Sequence, residues 1–157
     1  MADLVCRPAI VLVQPEIPGN TGTIGRTCVA LDIDLVLIKP YGFELTDKSV
    51  RRAGLDYWKH VALREYDTWS AYVQVENPAR QDLFFFEEFG ATSAYEAPIS
   101  DAPVLVFGRE TKGLPQEIIQ EYHDRMFHLP MRSQHIRSLN LANAATAAAY
   151  LMLRHII

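Results

Sequence analysis

The chain has 157 residues, of which 49% are hydrophobic and 22% charged, a composition typical of a folded globular domain. Its 15 Lys and Arg residues are outnumbered by 19 Asp and Glu residues, so the formal net charge is −4. The composition excludes a disordered chain, a collagen-like repeat and a disulfide scaffold, and the negative charge at first argues against nucleic-acid binding.

Short apolar runs bounded by prolines and glycines predict buried strands, which alternate with helical segments. The predicted elements are strand 8–14, helix 21–31 capped by Asn20, strand 34–39, helix 46–53, helix 66–76, strands 83–86 and 103–107, helix 116–121, strand 125–129 and helix 138–155 capped by Ser138. This alternation indicates an α/β fold with a mainly parallel sheet and helices on both faces. No linker or repeat divides the sequence, so residues 1–157 are interpreted as a single domain.

Ligands of such sheets bind beyond the carboxyl ends of the strands, and the Gly, Pro, Asn and Arg residues concentrate in those loops. The segment 19–25 reads GNTGTIG, which is neither a dinucleotide fingerprint nor a P-loop. The five histidines lack metal-ligand spacing, Cys6 and Cys28 form no metal or redox pair, and no G-x-S-x-G elbow is present. We therefore expect no metal, no dinucleotide and no esterase-type nucleophile.

Three segments at predicted loop positions carry the polar residues. Segment 18–26 reads PGNTGTIGR, segment 107–115 reads FGRETKGLP, and LPM at 129–131 precedes RSLNLAN at 137–143. Each segment alone is also consistent with ordinary structure, namely a capped helix with a solvated arginine, a turn with a solvated glutamate, and a serine N-cap.

In this order the three segments resemble the SPOUT superfamily of AdoMet-dependent RNA methyltransferases, which carry N-x-G-x-x-x-R, F-G-x-E-x-x-G-L-P and I-P-M…S-L-N. Segments 15–22 (PEIPGNTG) and 51–57 (RRAGLDY) are similar to the TrmL type, small tRNA ribose 2′-O-methyltransferases that act on the wobble nucleotide, position 34. The resemblance covers nearly the whole chain. It implies a C-terminal trefoil knot, a homodimer, S-adenosyl-L-methionine (AdoMet) as methyl donor and no separate RNA-binding domain.

The resemblance also implies roles for particular residues. The implied catalytic set is Asn20, Arg26, Glu110, Ser138 and Asn140. The implied cofactor-binding set is Phe86, Gly108, Gly113, Leu129, Met131, Ser138 and Leu139. Arg26 is either a general base or, more easily for a guanidinium with a pKa above about 12, a cation that binds the adjacent phosphate and lowers the pKa of the 2′-hydroxyl. Glu110 is expected to orient Arg26.

The sequence departs from the resemblance at three places. Segment 86–90 reads FEEFG where close relatives carry a Thr-Thr stretch, so Glu87 and Glu88 place two acids near the expected crevice. The loop 131–138 is about one residue longer, and Ala142 replaces a serine that is common in the subgroup. None of these departures removes a catalytic candidate.

Charge is unevenly distributed along the chain. Residues 48–64 contain five basic residues and one acid, whereas residues 76–101 contain six acids and one basic residue. The basic segment is expected to bind the tRNA anticodon stem-loop, with Tyr57 and Trp58 either stacked on anticodon bases or packed in the core. The expected RNA-binding residues are Arg51, Arg52, Tyr57, Lys59, Arg132 and Arg137.

Two alternative functions stay open at this point. One is the same 2′-O-methylation on another RNA, such as ribosomal RNA, and the other is a non-catalytic RNA-binding or assembly protein on this fold. The uncharged stretch 138–153 is too short for a membrane span and the amino terminus does not resemble a signal peptide, so we expect a cytoplasmic protein with no membrane contact.

Overall fold

The computed structural model describes residues 6–45 and 56–157. The described strands are β1 (Ala9–Val13), β2 (Asp34–Ile38), β3 (Leu63–Tyr66), β4 (Leu83–Phe86), β5 (Thr92–Ser93), β6 (Val104–Phe107) and β7 (Met126–His128). They form one sheet in the order β3-β2-β1-β6-β4-β7-β5, in which every pair of neighbours is parallel. The predicted parallel α/β sheet is confirmed.

The described helices cover both faces of this sheet. They are α1 (Pro18–Leu31), α2 (Trp69–Glu76), α3 (Gln116–Glu121) and α4 (Leu141–Met152). Side chains alternate along β1, so Ile10 and Leu12 join one core with α1 and α4. Val11 and Val13 join a second core with α2 and α3. Burial on both faces explains why the central strands are continuously apolar.

The structure differs from the predicted elements at the edges of the sheet. The predicted helix 66–76 is shorter, because β3 ends at Tyr66 and α2 begins at Trp69, where the Thr68 hydroxyl accepts a hydrogen bond from the Ala71 amide at 3.0 Å. Strand β5 was not predicted, since two residues carry no readable pattern. The predicted helix 46–53 lies outside the described residues.

Both predicted N-caps are wrong. Helix α1 begins at Pro18 rather than residue 21, and its N-cap Ile17 offers no side-chain hydrogen bond, so Asn20 lies in the first turn. Helix α4 begins at Leu141 rather than at Ser138, because the Asn140 side chain accepts hydrogen bonds from the first amides of the helix.

The alanine-rich helix α4 packs closely against α1. Ala145, Ala148 and Ala149 are completely buried, and their small side chains allow the two helices to approach. At this contact the hydroxyl oxygens of Thr27 and Thr146 are 2.7 Å apart and share a hydrogen bond. The contact fixes the C-terminal helix against the helix that carries Arg26.

An ion-pair network lies at the amino-terminal edge of the sheet. The Asp34 carboxylate accepts hydrogen bonds from Arg7 Nε at 3.0 Å and from Arg64 Nη1 at 2.7 Å, and Arg64 Nη2 donates to Glu76 Oε1 at 2.7 Å. This network pairs Arg64, one of the five basic residues of segment 48–64, with two acids of the fold.

No helix in residues 6–45 and 56–157 is both long and apolar enough to cross a membrane. The trefoil knot implied by the resemblance stays a prediction.

Candidate active site

The three motif segments meet at the carboxyl-terminal edge of the sheet. Strands β1, β6, β4 and β7 are consecutive neighbours, so the loops that follow Val13, Phe107 and His128 open on the same side. These loops contain the beginning of segment 18–26, the segment 107–115 and the LPM segment. Their convergence is the geometry in which parallel sheets bind ligands.

Glu110 lies at the centre of this edge and binds the start of α1. Its Oε2 accepts a hydrogen bond from the Glu16 amide at 2.8 Å, and its Oε1 accepts from the Ile17 amide at 3.0 Å. The Asn20 side chain also donates to Oε1, at 3.4 Å. A carboxylate from another loop thus binds the amide of the N-cap residue Ile17 and the amide before it, near the positive end of the helix dipole.

Asn20 connects Glu110 to the beginning of α4. Its Oδ1 accepts a hydrogen bond from Asn140 Nδ2 at 3.2 Å. Asn140 Oδ1 in turn accepts from the amides of Ala142 at 2.9 Å and Asn143 at 3.3 Å. We refer to these hydrogen-bonded side chains as the Glu110–Asn20–Asn140 chain. It joins one residue from each of the three motif segments.

A second carboxylate also links the start of α1 to the loop after β6. Here the acceptor is at the start of α1 and the donors are in the loop. Glu16 Oε1 accepts hydrogen bonds from the Thr111 amide at 3.0 Å and from the Thr111 hydroxyl at 2.8 Å. Both hydrogen bonds lower the pKa of Glu16, and the bond from the Thr111 amide has the larger effect. The start of α1 and the loop after β6 are therefore held together by two carboxylates, one contributed by each loop.

We expect Glu110→Ala to reduce the free energy of unfolding by on the order of 2 kcal/mol, because three donors at the start of α1 lose their acceptor. Urea denaturation measures this loss. The matched control is Glu121→Ala, which removes an exposed carboxylate from the end of α3 and should change stability little. Equal stability of the two variants would contradict the role assigned to Glu110.

Arg26 lies further along α1 with an exposed guanidinium. Its Cζ atom is 5.5 Å from the centroid of the Tyr57 ring, a cation–π contact. The Tyr57 hydroxyl donates to the Gly22 carbonyl at 2.9 Å, which fixes the ring one turn before Arg26. Glu110 binds the start of α1 and Arg26 contacts Tyr57, so the expectation that Glu110 orients Arg26 stays a prediction.

Three expected cofactor residues lie at neighbouring strand ends. Phe86 ends β4, Gly108 follows β6 and Leu129 comes directly after β7, with β4 between the other two strands. The rings of Phe86 and Phe107 are stacked with their centroids 5.0 Å apart. These residues form an apolar wall along the edge of the sheet.

The glycines of the loop after β6 allow backbone segments to meet. A Cβ atom on Gly108 would lie 2.2 Å from the carbonyl carbon of Gly113, so this position excludes every side chain. Gly113 has a φ of +68°, which favours glycine. Two backbone hydrogen bonds between Arg109 and Gly113, at 3.0 and 2.9 Å, close the loop.

The remaining expected cofactor residues, Met131, Ser138 and Leu139, lie in segment 130–140, every residue of which is exposed. Ser138 is two residues before the true N-cap of α4, so it is not used in capping. The segment leaves the edge of the sheet after Leu129 and returns to the Glu110–Asn20–Asn140 chain at Asn140. It therefore borders the site without being packed in it.

Sequence reasoning did not recognise the role of Glu87. Its Oε1 accepts a hydrogen bond from the Leu114 amide at 2.6 Å, and its own amide donates to the Phe127 carbonyl at 3.0 Å. Burial, opposed by the hydrogen bond from Leu114, raises the pKa of Glu87. The only signal in the sequence is the unusual acid pair at positions 87 and 88.

The expected RNA-binding residues differ from one another in how far they are exposed to solvent. Lys59, Arg132 and Arg137 are exposed, whereas Tyr57 is partly buried and already engaged by Gly22 and Arg26. Arg51 and Arg52 lie outside the described residues. Trp58 packs against the core beside Gly25, where a Cβ atom would lie 2.5 Å from the indole ring. Of the two alternatives for Trp58, core packing is therefore the one observed.

Within the described ranges, no group of three or more His, Cys, Asp or Glu residues could hold a metal ion.

A model of the SpoU rRNA Methylase family matches residues 7–150. The chain belongs to the SpoU methylase family. The match contains the whole Glu110–Asn20–Asn140 chain together with Arg26, so the geometry described above lies within the SpoU domain.

Individual SpoU relatives extend the comparison. The tRNA (cytidine(34)-2′-O)-methyltransferase of Saccharophagus degradans is 42% identical over 142 residues, which cover 90% of each chain. A solved structure described as "Structural insights into the 2-OH methylation of C/U34 on tRNA" is 41% identical, with a TM-score of 0.85 and 96% coverage of both chains.

A more distant SpoU methyltransferase, AviRb from Streptomyces viridochromogenes in complex with AdoMet, has a TM-score of 0.80 at 23% identity. It covers 96% of this chain and 60% of its own length. At this identity the comparison shows the shared fold.

Proposed function

We propose that this protein transfers the methyl group of AdoMet to the ribose 2′-hydroxyl of nucleotide 34 of tRNA. The observation that carries the proposal is the Glu110–Asn20–Asn140 chain, which brings the three motif segments together at the start of the helix that carries Arg26. The relatives named for methylation of cytidine 34 support the choice of substrate.

AdoMet fits the wall formed at the ends of β4, β6 and β7. Phe86 and Leu129 offer apolar side chains, and Gly108 and Gly113 bring main-chain groups close together. These four residues would hold the adenosyl group, and Met131, Ser138 and Leu139 would contact it from segment 130–140. When bound, AdoMet would supply a methyl group on its sulfonium, and the 2′-oxygen would bond to that methyl carbon as the C–S bond breaks and S-adenosylhomocysteine leaves.

We assign Arg26 the role of a fixed cation. A guanidinium keeps its proton at neutral pH, so it binds phosphate and stabilises negative charge that develops on the 2′-oxygen. Tyr57 holds this cation in place, while Asn20 and Asn140 fix the start of α1 relative to α4. The hydroxyl proton passes to solvent water, and its loss is favoured because the cation lowers the pKa of the hydroxyl.

The test of this function is mass spectrometry of digested tRNA from a strain that lacks the gene. We expect one 2′-O-methylated nucleoside to disappear and to return when the purified protein is added with AdoMet. Loss of the modification from ribosomal RNA instead would favour the first alternative. Absence of AdoMet binding in calorimetry would favour a non-catalytic RNA-binding protein.

Exposed cations beside the site are proposed to bind the anticodon stem-loop. We expect Lys59→Glu to weaken tRNA binding several-fold and Arg51→Glu with Arg52→Glu to weaken it further, because each reversed charge repels a phosphate. AdoMet affinity should stay unchanged. Filter binding at two salt concentrations and calorimetry measure the two affinities. An equal loss of tRNA affinity and AdoMet affinity would contradict the proposal that separate residues bind the two. We also assign Arg132, Arg137 and Tyr57 to the RNA-binding surface.

We further propose a cytoplasmic homodimer of single-domain subunits. Segment 130–140 is exposed and includes the apolar residues Met131, Ile136 and Leu139. Tyr150 on α4 and Ile157 are at least half exposed. Apolar surface of this kind favours contact with a second copy. Sedimentation of a monomer at micromolar concentration would contradict the dimer.

A further inference from the structure

We propose that Glu87 is a positioning residue that holds together the loops forming the AdoMet crevice. The inference rests on the proposed function, since it concerns the same crevice. It assigns a purpose to the acid that this chain carries where the resemblance implies a threonine. The role is mechanical: Glu87 binds protein main chain and keeps the strand ends at fixed spacing.

Glu87 connects the ends of three neighbouring strands. It directly follows β4, its carboxylate accepts the Leu114 amide of the loop after β6 at 2.6 Å, and its amide donates to the Phe127 carbonyl of β7 at 3.0 Å. The same three strands provide Phe86, Gly108 and Leu129 to the crevice. One residue therefore contacts the ends of all three strands.

The Glu87 carboxylate fits closely against the loop after β6. A Cβ atom on Gly113 would lie 2.5 Å from Glu87 Oε1 and 3.0 Å from Oε2, so the carboxylate lies directly over the bare Cα of this glycine. Gly113 is therefore required both for its positive φ and for the space that Glu87 occupies. This contact leaves the Leu114 amide in line with the carboxylate.

The loop after Glu87 is fixed on its other side. The Gly90 amide donates to the Glu87 carbonyl at 3.0 Å, and a Cβ atom on Gly90 would lie 2.5 Å from the Phe127 backbone. His128 Nδ1 and the Gly90 carbonyl oxygen are 2.7 Å apart. Glu88, by contrast, is exposed and has no hydrogen bond from its side chain within the described residues. The adjacent acids thus differ in function, and Glu88 is a matched control.

Burial of the Glu87 carboxylate has a consequence for stability. Because burial raises the pKa of Glu87, the folded protein binds this proton more tightly than the unfolded chain does. The stability of the folded state therefore decreases as pH rises from the ordinary pKa of 4.5 through the raised value. A glutamine retains the acceptor oxygen without this cost.

The experiment compares Glu87→Ala, Glu87→Gln and Glu88→Ala in the full-length protein. We expect Glu87→Ala to weaken AdoMet binding about tenfold in calorimetry and to raise the KM for AdoMet without changing kcat at saturation. Glu87→Gln should bind AdoMet within about threefold of the wild type and should melt at a higher temperature at pH 7 but not at pH 4. Glu88→Ala should match the wild type.

Hydrogen exchange of the Leu114 amide tests the contact without AdoMet. We expect protection in the wild type and in Glu87→Gln, and faster exchange in Glu87→Ala. Unchanged AdoMet affinity in Glu87→Ala, or equal losses in the alanine and glutamine variants, would overturn the proposal. If the wild type bound no AdoMet while Leu114 showed the expected exchange, the contact would stand and the methyltransferase assignment would fail.

Discussion

Arg26→Ala is expected to lower methyl transfer by about a thousandfold or more, because the cation beside the reacting hydroxyl is lost. AdoMet affinity and the melting temperature should change little. The guanidinium is exposed, and its contact within the described residues is the face of Tyr57. Single-turnover transfer of labelled methyl to tRNA, with calorimetry for AdoMet, separates the chemical step from binding.

Arg26→Lys is the matched control for this substitution. It keeps the positive charge but lacks the planar fork that contacts phosphate at two points, so we expect activity between those of the wild type and the alanine variant. Full activity in Arg26→Ala would refute the assignment. Equal loss in both variants would show that guanidinium geometry, rather than charge alone, is required.

Gly108→Ala is expected to abolish detectable AdoMet binding and to destabilise the fold by about 1–3 kcal/mol. The added methyl group would lie 2.2 Å from the backbone of both Gly113 and Leu114, and neither atom belongs to a side chain that can rotate away. The loop after β6 would have to move outward and break its contact with Glu87. Calorimetry and urea denaturation measure the two effects.

Gly19→Ala is the matched control for the glycine substitution. No atom lies within 4 Å of a Cβ built on Gly19, and the residue is in the first turn of α1, where alanine is favoured over glycine by up to about 1 kcal/mol. We therefore expect equal or higher stability. Similar unfolding midpoints for Gly108→Ala and the wild type would show that the loop tolerates a side chain.

The sequence predicted the central strands because they are continuously apolar. Strand β3 was missed because it reads LREY, in which two charged residues occupy an edge strand whose Arg64 pairs with Asp34 and Glu76. The start of α4 was misplaced because Asn140, and not Ser138, is its local cap, and the start of α1 was misplaced because its N-cap Ile17 carries no capping side chain. Glu110, far from α1 in the sequence, binds the amides of Glu16 and Ile17 just before this helix, a contact that local pattern does not show.

The sequence predicted which residues belong to the candidate site but not which of them are in contact. Motif spacing pointed to Asn20, Glu110 and Asn140, whereas their contact depends on β1 and β6 being neighbours, which no local pattern encodes. For the same reason the contact between Arg26 and the Tyr57 ring was not predicted. Glu87 was noticed as an unusual acid, but its function depends on the position of the Leu114 amide.

The Glu110–Asn20–Asn140 chain also constrains the order in which the protein becomes functional. Asn20 lies 90 positions from Glu110 and 120 positions from Asn140, so a single amide side chain closes two long separations in the sequence. During synthesis, a nascent chain that had not yet released α4 from the ribosome would contain Arg26 and the strands but not the completed site. We therefore expect activity to begin only when the last helix docks, and a product terminated before α4 to be inactive.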